Sequence, residues 1–203
     1  MNRLARHLPP FRVIPALTCL LVADLGFAAQ TDYAQHIASL IAPAKLATLG
    51  SREANPRVQK AVYWLDTARK EGEKPEKVLD RAVALAGYTE SKAAKLTKDA
   101  LLRNLDIAGK LGCLDDAGLA EMRRGRAAKV RKGPYKGDEL SVDHIIPLAV
   151  VPELDNVIAN LELMPLRMNE TKNDHVGERQ RDLAKKFFKA GLLSKQGLEA
   201  VLR

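Results

Sequence analysis

Two short runs decide how this chain is read: Glu139-Leu140-Ser141-Val142-Asp143-His144-Ile145-Ile146-Pro147 and, after a gap, Asn160-Leu161-Glu162-Leu163-Met164-Pro165. The first predicts a short strand, stopped at a proline that cannot continue central pairing. Residues Pro152 to Asn156 read as a loop. The second run alternates apolar positions, as a strand with one buried face does. From Arg167 onward the pattern turns helical, so the local order is strand, loop, strand, helix. An acid, Asp143, and an imidazole, His144, stand side by side at the first strand's end. On the helix, Asn169, Lys172, Asn173 and His175 crowd one or two turns, with Asn169 and Asn173 four apart on one face. Glu178 to Lys189 reads as an amphipathic continuation of that helix, Gly191 as its stop, and Ser194 as the start of a short terminal helix.

Immediately upstream lies the densest basic cluster of the chain. Arg123, Arg124, Arg126, Lys129, Arg131, Lys132 and Lys136 fall within fourteen residues that contain no acid. Gly125, Gly133, Pro134 and Gly137 punctuate the run and predict a turn-rich arm instead of a helix. Further upstream, from about Tyr33 to Met122, apolar residues recur at three and four. Val58, Ala61, Val62, Leu65 and Ala68 form one stripe, and Val78, Ala82, Val83, Leu85 and Ala86 another. Asn55-Pro56 and Lys74-Pro75 mark helix starts, Thr89 reads as the cap of a helix running to about Gly109, and Asp115-Asp116 opens a shorter one. This region holds no constellation of catalytic residue types. Tyr63 and Trp64 read as core at helical spacing, and His36 as a surface or satisfied histidine.

The organisation expected is therefore residues 1–28 as a secretory signal, 29–122 as a helical region, and 123–203 as a basic arm plus a site-bearing module. The signal reading rests on Arg3, Arg6 and Arg12, the eleven-residue apolar stretch Val13 to Ala23, and Gly26-Phe27-Ala28 as a cleavage site. That stretch is shorter than the roughly 20 residues a bilayer span requires. Cys19 lies inside it, and Ala16-Leu17-Thr18 fits a lipoprotein box poorly. Removal of the segment takes away three arginines and Asp24, so a formal charge of +8 becomes +6. Cys113 then stands alone, which excludes an intramolecular disulfide and a cysteine-held structural zinc. A hydrophobic fraction of 46% with only 4% aromatic residues leans toward a helix-rich protein. The basic balance points to a polyanionic partner, because clustered cations release counterions from phosphates.

The residue types around Asp143 match the needs of phosphodiester hydrolysis. A divalent cation neutralises phosphate and leaving-oxygen charge, a neutral imidazole takes a proton from water near pH 7, and a cation holds the substrate. A carboxylate and an amide oxygen are hard ligands suited to magnesium or manganese.

With Asp143-His144-Ile145-Ile146-Pro147, then Asn160-Leu161 sixteen residues beyond His144, then Asn169-Glu170-Thr171-Lys172 nine beyond Asn160, the segment resembles the HNH, or ββα-metal (His-Me finger), nuclease family. The likeness covers about Gly133 to Val176, a fifth of the chain. It implies Asp143 as first metal ligand, His144 as general base, Asn160 as the middle asparagine that pins the loop and orients the base, and Asn169 as the last ligand, with Asn173 or His175 as substitutes. Lys172 falls where a basic residue often contacts phosphate, and Arg167 is a further phosphate candidate. The resemblance also implies one metal ion, Mg2+ or Mn2+, and 5′-phosphate products. The Cys-x-x-Cys pairs that brace many members with zinc are missing here, so packing by Val142, Ile145, Ile146, Leu161, Leu163, Leu183 and Phe187 must replace them.

The fold class expected is thus α+β, mostly α: a helical N-terminal region followed by a ββα-metal module. The function expected is an exported, metal-dependent endonuclease of weak sequence specificity, acting on DNA before RNA, in the periplasm or secreted. Arg124, Arg126, Lys129, Arg131 and Lys132 would add substrate contacts, and no stable membrane insertion is expected once the signal is removed. Two alternatives carry the same residues: a non-catalytic envelope nucleic-acid-binding protein, and a secreted toxin whose nuclease is a payload and whose residues 33–122 dock a protein partner.

Overall fold

Prolines and short polar side chains set most of the helix starts. In the computed structural model, which describes residues 32–172 and 174–203, Asp32 caps α1 (Tyr33–Ile41) by accepting from the Gln35 amide at 3.1 Å. The helices α2 (Pro43–Leu46), α3 (Asn55–Lys70) and α4 (Pro75–Leu85) each place a proline in the first turn, where its missing N–H costs nothing. Asp115 caps α6 (Asp116–Arg123) on the Gly118 amide at 2.7 Å, and Ser194 caps α9 (Lys195–Leu202) on the Gly197 amide at 3.0 Å. The export-signal reading, with Cys19 inside it, falls outside the described residues, as does Asn173.

Three local expectations are corrected. The long helix α5 (Ser91–Lys110) starts after Glu90 with no side-chain cap, so Thr89 does not cap it. Leu85 is 55% exposed and Leu79 takes the buried position in its place, because the inward stripe of α4 runs Val78, Leu79, Ala82, Val83. The helix after the second strand is not continuous: α7 (Leu166–Thr171) stops where Lys172 turns to extended backbone, and α8 (Glu178–Lys189) starts separately at Gly177.

The protein is mostly helical with one small sheet. Strands β1 (Leu140–His144) and β2 (Leu161–Pro165) pair antiparallel, with Asp143 opposite Glu162 and His144 opposite Leu161. Two 3-10 turns, Pro152–Leu154 and Ile158–Asn160, lie in the connection, and α7 follows β2 without a break and packs on both strands.

A two-stranded sheet is marginal alone, and helices from the first half of the chain supply what it lacks. The amide of fully buried Asn104 on α5 acts as a fragment of a third strand, donating to Leu161 O at 3.0 Å and accepting from Leu163 N at 2.8 Å. Gln59 on α3 donates to Leu140 O at 2.8 Å. One apolar cluster joins Ile37, Val58, Leu65, Leu79 and Leu101 to Ala128, Val130, Leu140, Leu161 and Leu163, so the core crosses position 122 without interruption. A second cluster, around Ile146, Leu154, Ala159, Phe187 and Val201, lies under the loop and the last helices. Residues 32–203 accordingly form one unit.

The basic arm folds back as a turn rather than extending. Val130 donates to Asp138 O at 2.9 Å and Leu140 to Ala128 O at 2.8 Å, with Gly133 (φ 80°) and Gly137 (φ 96°) supplying the left-handed backbone the turn requires. Ala128 and Val130 are buried in the core while Lys129 between them faces solvent. Among the described residues, no helix is long and apolar enough to cross a membrane.

Candidate active site

The end of β1, the loop after it and α7 meet around a cavity of about 430 Å³. Asp143, His144, Asn169 and Lys172 line it, together with Pro147, Asp174 and Arg52. Strand β1 brings Asp143 and His144 to the cavity at its last two positions. Helix α7 brings Asn169, whose amide nitrogen donates to Ser141 Oγ at 3.2 Å across to β1. That bond commits the nitrogen end of the amide and turns the oxygen into the end available to a cation.

His144 is buried, and its Nε2 meets two oxygens of one residue: Asp155 O at 3.0 Å and Asp155 Oδ1 at 3.1 Å. Both are acceptors, so Nε2 carries a proton, and in the neutral ring the lone pair then lies on Nδ1. A neutral imidazole with a free Nδ1 is the form a general base requires. Asp155 was not singled out by sequence, since nothing in Pro152 to Asn156 distinguishes a loop acid that grips a histidine from one that faces water.

The Asp143 carboxylate accepts from the Lys172 ammonium, which also donates to His144 O at 2.8 Å. Its cross-strand partner Glu162 is held by Arg103 at 3.0 Å and Arg179 at 2.6 Å. Burial pulls the Arg103 guanidinium below its ordinary value, and the Glu162 carboxylate opposes that pull.

Asn160 sits apart from the cavity lining. It is fully buried and makes a two-way clasp on the backbone of one residue, accepting from Ile146 N at 2.9 Å and donating to Ile146 O at 3.0 Å. It therefore fixes the path of the chain just beyond His144, without a hydrogen bond to the imidazole and outside the cavity lining. Comparison with family models, with curated proteins and with solved structures finds no match.

The remaining basic candidates lie elsewhere, most of them paired with carboxylates. Arg167 pairs with Asp138 at 2.7 Å and lies over the Tyr135 ring. Within the arm, Arg124 and Arg126 lie at 3.0 and 4.0 Å from Glu121, Lys129 at 3.2 Å from Glu139, and Arg131 at 3.0 Å from Asp115. Lys132 is exposed beside Gly112. None of these lines the cavity. His175 follows the end of α7 and is not in the cavity lining either, whereas its neighbour Asp174 is.

A divalent cation can be tested against these donors. Among the described residues no three His, Cys, Asp or Glu side chains cluster as a ligand set. The protein would offer one carboxylate, Asp143, and one amide oxygen, Asn169. Sparse hard-oxygen coordination completed by water and phosphate suits magnesium or manganese and not a closed zinc site. The Asp143 carboxylate already attracts a positive group in Lys172, so the position fits a cation in charge as well as in donor type.

Proposed function

We propose that this protein is a metal-dependent nuclease of the ββα-metal kind, hydrolysing phosphodiester bonds of nucleic acid, with residues 1–28 serving as its export signal. The observation that carries the reading is His144: buried, with Nε2 tied to Asp155 and Nδ1 left to take a proton beside a carboxylate and an amide oxygen in one open cavity. His144 withdraws a proton from the attacking water at Nδ1, while Asp155 keeps the ring in the correct tautomer and stabilises the imidazolium that forms. Asp143 and Asn169 hold the cation, which when bound supplies charge stabilisation to the phosphate and the departing oxygen. Lys172 shares the Asp143 carboxylate and offers its ammonium to substrate. The strand, loop, strand, helix order supports the ββα assignment, and the lack of a separate base-reading module among the described residues supports weak sequence specificity.

One observation favours a second reading, a non-catalytic nucleic-acid-binding protein. Lys172 already neutralises Asp143, and a satisfied ion pair needs no metal.

Cleavage of plasmid DNA and of RNA by the purified protein, with magnesium, manganese or EDTA and beside His144→Ala, separates the two. Cutting that requires metal and falls by about 10²-fold or more in the variant establishes the nuclease. Salt-sensitive binding without cutting under any metal establishes the binding protein.

A further inference from the structure

We propose that Arg52, delivered by the turn between α2 and α3, is a phosphate-binding residue of this site, gripping the nucleic-acid backbone while its own peptide group steadies the residue that holds His144. The proposal rests on the nuclease reading for its substrate and adds to it a residue nearly a hundred positions upstream of the motif.

Backbone geometry is the first observation. Arg52 has φ 60°, and among the described residues it is the one non-glycine in the left-handed region. A side chain with a Cβ is disfavoured there, and such strain persists where surrounding contacts impose it, most often at functional sites.

Those contacts are the second observation. The Arg52 amide donates to Asp155 Oδ2 at 3.1 Å, the carboxylate whose other oxygen meets His144 Nε2. Two residues on, Ala54 N donates to Asn156 Oδ1 at 3.0 Å, and Asn156 Nδ2 returns a bond to Gly50 O at 2.9 Å. The turn is thus laced to the loop that orients the base, so a position set at Arg52 is a position set relative to His144.

Charge is the third. The Arg52 side chain is exposed and lines the same cavity as Asp143, His144 and Asn169. Among the described residues no carboxylate pairs with its guanidinium, whereas Lys172 lies on Asp143 and the arm cations on Glu121, Glu139 and Asp115. A planar guanidinium offers a fork that matches phosphate oxygens, and its charge is uncommitted where a phosphodiester would enter. Left-handed backbone satisfies both demands at once, placing the peptide N–H on Asp155 and the side chain in the cavity.

The test uses Arg52→Gly, which accepts φ 60° without strain, Arg52→Gln, which keeps the stem and loses the charge, and Arg52→Lys, which keeps the charge and loses the fork. Lys77→Ala, an exposed site on α4, controls for the loss of one cation. Binding of a fluorescent 20-base-pair duplex is followed by anisotropy in EDTA across a salt series, and cleavage of the same duplex is followed in magnesium. For Arg52→Gly and Arg52→Gln the slope of log K against log salt should flatten by about 0.9, one phosphate contact, with kcat/KM down about 10- to 100-fold, as for one charge-assisted contact. Arg52→Lys should restore the slope but only part of the rate, and Lys77→Ala should match wild type. A wild-type slope and a wild-type rate in the Gly and Gln variants would overturn the proposal and leave the nuclease intact. A flattened slope in a protein that cuts under no condition would instead retire the nuclease reading and keep Arg52 as a phosphate contact.

Discussion

Replacing Asn160 by alanine removes two hydrogen bonds at once from the backbone of a fully buried residue, the Ile146 N–H and C=O. Each bond is worth about 0.5–1.5 kcal/mol net, and each backbone group left unpaired inside the protein costs about 1–3 kcal/mol. Partial relaxation of the loop toward water trims the total, so a loss of about 3 kcal/mol is the working figure, a large share of the about 5–15 kcal/mol that holds a domain folded. For a chain of this size each kcal/mol moves Tm by about 2–4 °C, which gives a fall of about 6–12 °C. The assay is thermal unfolding by circular dichroism, paired with cleavage measured well below both melting temperatures. Because the Asn160 side chain bonds the Ile146 backbone and does not line the cavity, the folded variant should lose less rate than His144→Ala. Asn160→Asp keeps the acceptor for Ile146 N but turns the donor into a second acceptor facing Ile146 O, so it should not recover the donor's share. A Tm within about 2 °C of wild type would refute the reasoning, since that is less than the effect of one ordinary kcal/mol. A rate loss equal to that of His144→Ala, with Tm unchanged, would move Asn160 into the chemistry itself.

Asn104→Ala should lower the urea midpoint by an amount equivalent to about 2–4 kcal/mol, because Leu163 N loses the Asn104 oxygen and Leu161 O is left with the longer bond from Arg103 at 3.4 Å; an unmoved midpoint would show the amide to be incidental. Asn169→Ala should raise the magnesium concentration needed for half-maximal cleavage by at least about tenfold while leaving duplex affinity in EDTA unchanged, and an unaltered requirement would remove Asn169 from the ligand set. Neutralising Arg124, Arg126, Lys129 and Arg131 together should flatten the salt slope by less than about 0.9 per residue, since each lies beside a carboxylate; the full value would mean that those pairs open to substrate. Burial, aided by Asp115, pushes the Cys113 thiol up to about 11, so iodoacetamide at pH 8 should label the unfolded and not the folded protein. The folded thiol holds its proton more tightly than the unfolded one. Its stabilising contribution is therefore complete below the ordinary thiol range near 8.5 and fades as pH rises toward 11. Equal labelling of both states at pH 8 would contradict that order.

Much of the local structure was legible because it is written in near neighbours. Pro56, Pro75, Asp115 and Ser194 set helix starts through contacts one to three residues away, and Leu161-Glu162-Leu163 shows a strand by its own alternation. Errors arose where a neighbour's signal lost to a distant contact. Helical propensity runs on past Thr171, but Lys172 turns to extended backbone, its ammonium on Asp143 and His144 O. Thr89 resembles a cap, yet the chain turns into α5 one residue later. At the site, Asp143, His144, Asn169 and Lys172 were readable as a group because they lie within thirty residues in a spaced order. Arg52 and Asp155 were not, since their bond joins positions 103 apart and neither sits in a periodic or repeated pattern. Asn104 was equally silent: mid-helix, an asparagine facing a strand edge has the same one-dimensional context as one facing solvent.

The coverage of the small sheet bears on how the protein behaves at high concentration. Residues 128–130 pair with residues 138–140 and so cover the start of β1, and the Asn104 amide bonds the outer side of β2. Unpaired strand edges are the templates on which separate molecules add to one another. Here two neighbouring side chains on one helix, Asn104 and Arg103, do the protecting on one side, so loss of the Asn104 amide should reveal itself not only as lower stability but as self-association, with light scattering rising with concentration before any unfolding is seen.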